Sequence, residues 1–236
     1  MKSLLLTLNQ IVFTLLLYIA GALIIGAALF PSAMMAIFVW HNTLQSALAL
    51  RILWMCLAVS AGYFLFGLSL IFIVGLIRMV FRVRLREGDY KIGSSEMLKW
   101  FVVNALFLIV RTAFMEFMML TPFCSLFYRM MGAKLGHNVQ INSKNVADHS
   151  LLEIGNNSVI GGNATVIGHS FESKGLKLAK VKIGKNVIIG LNAVVMPGVT
   201  IGDGTVIAAG AIVPKETVIE PNMIYFSRDN QVPRQR

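Results

Sequence analysis

Residues 11–30, "IVFTLLLYIAGALIIGAALF", run without a charged side chain. A helix of that length spans about 30 Å, the thickness of the hydrocarbon core of a bilayer. The run is too long for the apolar region of a signal peptide, and a second one follows closely. Residues 52–77, "ILWMCLAVSAGYFLFGLSLIFIVGLI", are again uncharged, and the "WHNTLQS" between the two is short. The pattern predicts two spanning helices, over about 9–30 and 50–77, with Pro31 bending or ending the first. A third apolar stretch, 98–128, carries Arg111, Glu116 and Pro122 within it. Two ionisable groups on a lipid face are costly, so this segment is predicted not to cross. It reads as a re-entrant or interfacial helix.

Downstream the apolar positions thin to a strict beat. Every sixth residue from Ile183 is aliphatic: Ile183, Ile189, Val195, Ile201, Ile207, Val213 and Ile219. The same spacing joins Ile154, Ile160 and Val166, and earlier Leu135 and Ile141. A Gly or Ala often follows the aliphatic residue, and a small side chain recurs four places after it. A period of six fits neither a helix nor a hairpin sheet, and a sandwich would need alternation with hairpin turns. It predicts a parallel β-helix, three hexads to a triangular coil, with the aliphatic residues filling the prism. The stretch "VIGHSFESKGLKLAKVKIG", 166–184, breaks the beat and reads as an inserted loop.

The chain thus divides into a membrane region, 1–131, a β-helix, 132–221, and a polar C-terminal tail, 222–236, which reads as loose and as shielding the last coil's edge. A hydrophobic content of 56% and a charged content of 14% are far from those of an ordinary soluble domain and agree with the first of these. Arg78, Arg82, Arg84 and Arg86 follow the second apolar run. By the positive-inside rule that end faces the cytoplasm, Lys2 agreeing. The prediction is a multi-pass inner-membrane protein with its β-helix in the cytoplasm. The arginines read as a topology signal or as a site for an anionic lipid headgroup. A net charge of +10 fits membrane lipid or a phosphorylated co-substrate; no nucleic-acid recognition motif accompanies it. Cys56 and Cys124 lie in apolar runs and show no disulfide framework or zinc spacing.

The hexads "IGKNVI-IGLNAV-VMPGVT-IGDGTV-IAAGAI-VPKETV" resemble the left-handed parallel β-helix of the hexapeptide-repeat acyltransferases. The stretch "DHSLLEIGNNSVIGGNATVIGHSFESKGLKLAKVKIG" is similar to the maltose and sugar O-acetyltransferases. It is also similar to the C-terminal transferase domains of membrane-bound non-ribosomal-peptide-synthetase-like proteins. The resemblance covers roughly 133–220. It implies an all-β left-handed parallel β-helix, joined here to the α-helical membrane hairpin read from the apolar runs, and a homotrimer with active sites between neighbouring prisms. It further implies acetyl-CoA or another acyl-CoA as co-substrate, no metal, and a hydroxyl or amine acceptor on a glycan or lipid-linked molecule. In motif and position His169 matches the family's general base, and "AAGAIVPKE" the coil that contacts CoA. Gly190, Ala208, Ala209 and Lys215 are the residues implied for that contact, Ala208 and Ala209 by leaving backbone groups open to pantetheine.

A neutral histidine suits the removal of a hydroxyl proton at neutral pH. Of the other histidines, His41 lies between the spans, His137 follows an inward Leu, and His149, beside Asp148, is the second candidate base. Asp148, Glu153 and Glu172 are the carboxylates available to hold the ring of His169, with the choice between Asp148 and Glu172 open. Lys174, Lys177 and Lys180 are either a solvated edge or a cleft wall drawing phosphates. Three other functions compete with transfer from acyl-CoA. They are amide formation from an acyl-carrier-protein thioester, a non-catalytic scaffold for glycan assembly, and a zinc hydratase. The last would need a closely spaced histidine pair that this sequence lacks.

Overall fold

The computed structural model describes residues 2–227 and 230–233, with side chains from Thr7 onward. Two long helices come first, α1 (Lys2–Asn42) and α2 (Leu48–Val80). Both are long and apolar enough to cross a membrane. α1 does not end at Pro31 but continues through it to Asn42. Pro31 removes one backbone donor, and the helix is tied to its neighbour at the next residue, where Ser32 Oγ donates to the Gly62 carbonyl of α2 at 2.7 Å. Most α1 side chains are exposed, as with Leu23 at 70% and Phe38 at 66%.

A linker containing β1 (Gly88–Tyr90) leads to α3 (Ser95–Ala113), α4 (Met115–Met118) and α5 (Pro122–Met130). The third apolar stretch is therefore broken into three helices. Ser94 caps α3, accepting from the Met97 N–H, and Pro122 opens α5 where its missing donor costs nothing. α3 buries Trp100, Val103, Leu106, Phe107 and Val110. The two ionisable groups inside the apolar run find partners on the β-helix: Arg111 donates to Asn145 Oδ1 at 2.7 Å, and Glu116, beyond α3, pairs with Lys144. Tyr63 of α2 donates to the Ala113 carbonyl at 2.8 Å, so α3 is held from both sides.

The remaining chain winds a three-faced parallel β-helix. On one face Leu135, Ile154, Ile183, Ile201 and Ile219 stack in register. On the second Ile141, Ile160, Ile189, Ile207 and Tyr225 do so. On the third Val166, Val195 and Val213 stack, with Val146 bridged to Val166. Ile183, Ile201 and Ile219 are separated by 18 residues, three hexads to a coil as the period requires. Ile154 to Ile183 is 29, so the interruption inserts 11 residues. The interior column is closed to solvent: Ile160, Val166, Ile189, Val195, Ile207 and Val213 are fully buried.

The corners show a rule the aliphatic beat alone does not reveal. Three places after most inward residues the backbone enters the left-handed region, at Asn138, Asn157, Asn163, Asn186, Asn192, Gly198, Gly204, Gly210, Glu216 and Asn222, all but Glu216 being Asn or Gly. Asn and Gly tolerate that conformation, which explains their recurrence at one position. The small residue one place later packs inward, as Ser158, Ala164, Ala193 and Thr205 do.

Two expectations change. The insertion is not a loop but a hairpin, β2 (His169–Glu172) and β3 (Gly175–Leu178), to which β1 adds a third antiparallel strand. Leu176 and Leu178 are buried, so the insert is anchored by apolar packing. The tail is not loose over Met223–Ser227, which forms a strand on the second face because Tyr225 falls on the sixfold beat and fills the prism. Asn230–Pro233 folds back antiparallel along its edge. Residues 228–229 and 234–236 of the expected tail lie outside the described residues.

Candidate active site

His169 opens the hairpin at the point where the third face breaks off, directly after Gly168. Its Nδ1 lies 2.5 Å from Oδ2 of Asp148. The same Oδ2 accepts from the Gly168 N–H at 2.9 Å, and Oδ1 accepts from Trp100 Nε1 at 2.9 Å. Asp148 is buried, and three donors surround its carboxylate. Its backbone is left-handed (φ 54°), turning into the short helix His149–Leu151 that holds it under His169. An acceptor-only carboxylate so placed fixes the imidazole tautomer: Nδ1 carries the hydrogen, and Nε2 is left with a free lone pair.

Trp100 is supplied by α3, outside the β-helix. Its ring centroid is 4.8 Å from that of His169 and 5.4 Å from that of Phe171, edge-on to the latter. Beside the histidine lies a cleft of about 550 Å³, lined mainly by apolar side chains. Leu17 of α1, Phe101 and Leu108 of α3, and Asn145, Thr165 and His169 of the β-helix all reach it. The His169 ring retains 21% of its side-chain exposure, enough to meet a molecule in that cleft.

The other expected site residues fall elsewhere. Glu172 does not reach His169; it is exposed, bonded to Lys215 Nζ at 2.7 Å and to Ser170 Oγ at 3.2 Å. Those partners hold its carboxyl below the usual range. Glu153 pairs with Lys134 at 2.9 Å and lies 3.7 Å from Lys180. His149 is fully buried against Phe107 and Tyr128, with ring centroids 4.6 and 4.4 Å away. Burial pushes its pKa down to about 4, against the opposing pull of Asp148. It is a neutral core residue with no path to a substrate. His137 is exposed on an outer corner. Among the described residues no three His, Cys, Asp or Glu side chains converge as metal ligands.

Lys177 is paired with Glu216, and Lys180 bridges Glu153 and Glu87. Of the residues expected at CoA, Ala208 has its N–H committed to the Tyr225 carbonyl at 2.9 Å, so that donor is not open. A Cβ on Gly190 would lie 2.5 Å from the Ala209 nitrogen, so this glycine lets two coils stack. Ala209 is exposed. The contribution of Trp100 was not legible in the sequence. It lies in an apolar run 48 residues before its partner, and only the docking of α3 on the β-helix joins them.

Residues 180–215 match the bacterial transferase hexapeptide (six repeats) family. Over 98 residues it is 39% identical to galactoside O-acetyltransferase of Escherichia coli, covering 38% of this chain and 47% of that protein. Over 220 residues it is 26% identical to delta-poly-L-ornithine synthetase of Acinetobacter baumannii, covering 89% of this chain and 16% of that one. The chain thus spans less than half the length of either relative. A solved hexapeptide-repeat acetyltransferase of Vibrio cholerae complexed with acetyl coenzyme A is also similar, at 20% identity and a TM-score of 0.44. That match covers 66% of this chain and 94% of that one.

Proposed function

We propose that the protein is a membrane-anchored acyltransferase that moves an acetyl or other acyl group from acyl-CoA to a hydroxyl or amine. The observation that carries this is the buried Asp148 carboxylate bonded to Nδ1 of a cleft-facing histidine. The transferase repeat and the acetyltransferase relative support the reaction class. His169 Nε2 takes the acceptor's proton as the acceptor oxygen or nitrogen bonds to the thioester carbonyl carbon. Asp148 stabilises the imidazolium that results. The carbon–sulfur bond then breaks, and His169 returns the proton to the departing thiolate.

α1 and α2 cross the membrane as a hairpin in this reading, and the arginines after α2 support a cytoplasmic face for the β-helix. The acceptor is an amphipathic or lipid-linked molecule, such as a glycan on a lipid carrier. Leu17 of the candidate span lines the same cleft as His169, so an acceptor's apolar anchor and its nucleophile fit side by side. Ala209 and Lys215 are the proposed CoA contacts, with a phosphate displacing Glu172 from Lys215. The outward Ile188, Leu191 and Ile212 are exposed apolar residues suited to neighbouring copies in a homotrimer.

A second reading, amide formation from a carrier-protein thioester, draws on the alignment with the poly-ornithine synthetase, which includes the helical region as well as the repeat. Calorimetric titration of the detergent-solubilised full chain with CoA and with dephospho-CoA separates the two. Saturable CoA binding, weakened about tenfold or more without the 3′-phosphate, is expected. No binding to a folded protein overturns free CoA as donor and favours the carrier thioester.

A further inference from the structure

Where α2 and α5 both end, four arginines line one cavity. Arg78 comes from the last turn of α2, Arg82 and Arg84 from the linker after it, and Arg129 from the last turn of α5. Together with Met79 they line a cavity of about 560 Å³. Among the described residues, no ion pair joins any of the four to a carboxylate. Two helix C-termini face the cluster, each equivalent to roughly half a negative charge. They offset about one of the four positive charges, and the rest are unbalanced.

Arg78 sharpens the point. Its residue exposure is 5%, its Nη1 donates to the Met130 carbonyl at 3.3 Å, and its Nε has no hydrogen-bond acceptor among the described residues. The chain makes room for it: a Cβ on Gly132, which sits at φ 103°, would lie 2.0 Å from Arg78 Nη2. A buried guanidinium with an idle donor and no carboxylate is costly unless an anion completes it. Arg129 Nη2 donates to the Leu135 and Gly136 carbonyls, so α5 and the first β-helix strand hold it in place. Arg82 and Arg84 are exposed at the mouth.

We infer that this cavity binds the phosphate of an anionic phospholipid headgroup. Guanidinium groups match phosphate oxygens in a paired geometry, and the site lies at the end of a candidate span where headgroups sit. Such a lipid would fasten α2, α5 and the first coil to one another at the membrane surface. The inference rests on the membrane placement of the hairpin and is independent of acyl transfer and of the His169 cleft.

The test is thermal unfolding of the detergent-solubilised full chain with phosphatidylglycerol, phosphatidylcholine or inorganic phosphate added. Phosphatidylglycerol is expected to raise the midpoint by roughly 5 °C at saturation, with phosphatidylcholine near zero. In Arg84→Gln/Arg129→Gln that shift is expected to fall by at least half. Arg84→Gln alone, at a side chain with no hydrogen bond among the described residues, serves if the double variant does not fold, and is expected to lower the shift measurably. Equal shifts from both lipids, or an undiminished shift in the variants, overturns the proposal. Saturation by inorganic phosphate with no further gain from phosphatidylglycerol overturns the lipid as the source of the anion.

Discussion

The indole of Trp100 and the imidazole of His169 are joined through one buried carboxylate: Trp100 Nε1 donates to Oδ1 of Asp148, and Oδ2 lies 2.5 Å from His169 Nδ1. A helix from the apolar half of the chain thereby holds the histidine of the β-helix half. The relationship sets an order of importance among the candidate residues.

His169→Ala is expected to lower acyl transfer by about 10²- to 10⁴-fold, the usual worth of a positioned general base. Asp148→Asn, which leaves the shape but allows the wrong tautomer, should cost about 10²-fold or more. Glu172→Gln, at an exposed carboxylate bonded to Lys215, should change the rate by less than about threefold. Transfer of labelled acetyl from acetyl-CoA into the lipid and glycan fractions of membranes ranks the three. A Glu172 variant as damaged as the Asp148 variant would refute the assignment.

Trp100→Phe keeps the ring beside His169 but removes one donor from a buried carboxylate. The expected effect is roughly a tenfold fall in kcat with little change in KM, since the indole positions the base rather than the donor thioester. A change confined to KM would make Trp100 a binding residue of the cleft instead.

Stability should fall on acidification through His149. Its folded pKa is about 4 against about 6.5 when exposed, so the unfolded chain binds a proton that the folded chain refuses. The loss begins as pH drops below about 6.5, is complete near pH 4, and amounts to about 3 kcal/mol at most. His149→Phe should flatten that part of the midpoint-versus-pH curve. Melting curves of both proteins between pH 7 and pH 4 decide it, and parallel curves would show that another group controls the slope.

Gly190→Ala should destabilise the β-helix by about 1–3 kcal/mol, since the new methyl meets the Ala209 backbone. Thermal unfolding measures this. If Gly190 instead contacted only CoA, the variant would melt normally and lose CoA affinity.

The prism was readable because its signal is local and repeated. An inward residue every sixth position, with a small residue four places after it, needs no knowledge of distant contacts. The two long helices were readable for the same reason, through uninterrupted apolar runs. The hairpin within 166–184 was not, because its third strand, Gly88–Tyr90, comes from a distant linker. Tyr225 was missed because an aromatic stands where the other hexads carry an aliphatic residue, although it sits on the beat.

The sequence by itself determined the repeat, its 18-residue coil, the position of the break and the histidine at it. Only the tertiary structure decided which carboxylate serves that histidine. Asp148 and Glu172 both lie within reach along the chain. The left-handed turn at Asp148 and the coil stacking bring one beneath the ring, while Lys215 holds the other on the surface. The tertiary structure also brought Arg129 to the arginines after α2, and Trp100 to Asp148. Both contacts depend on α3–α5 docking across the β-helix, and packing between segments far apart in the chain leaves no period to read.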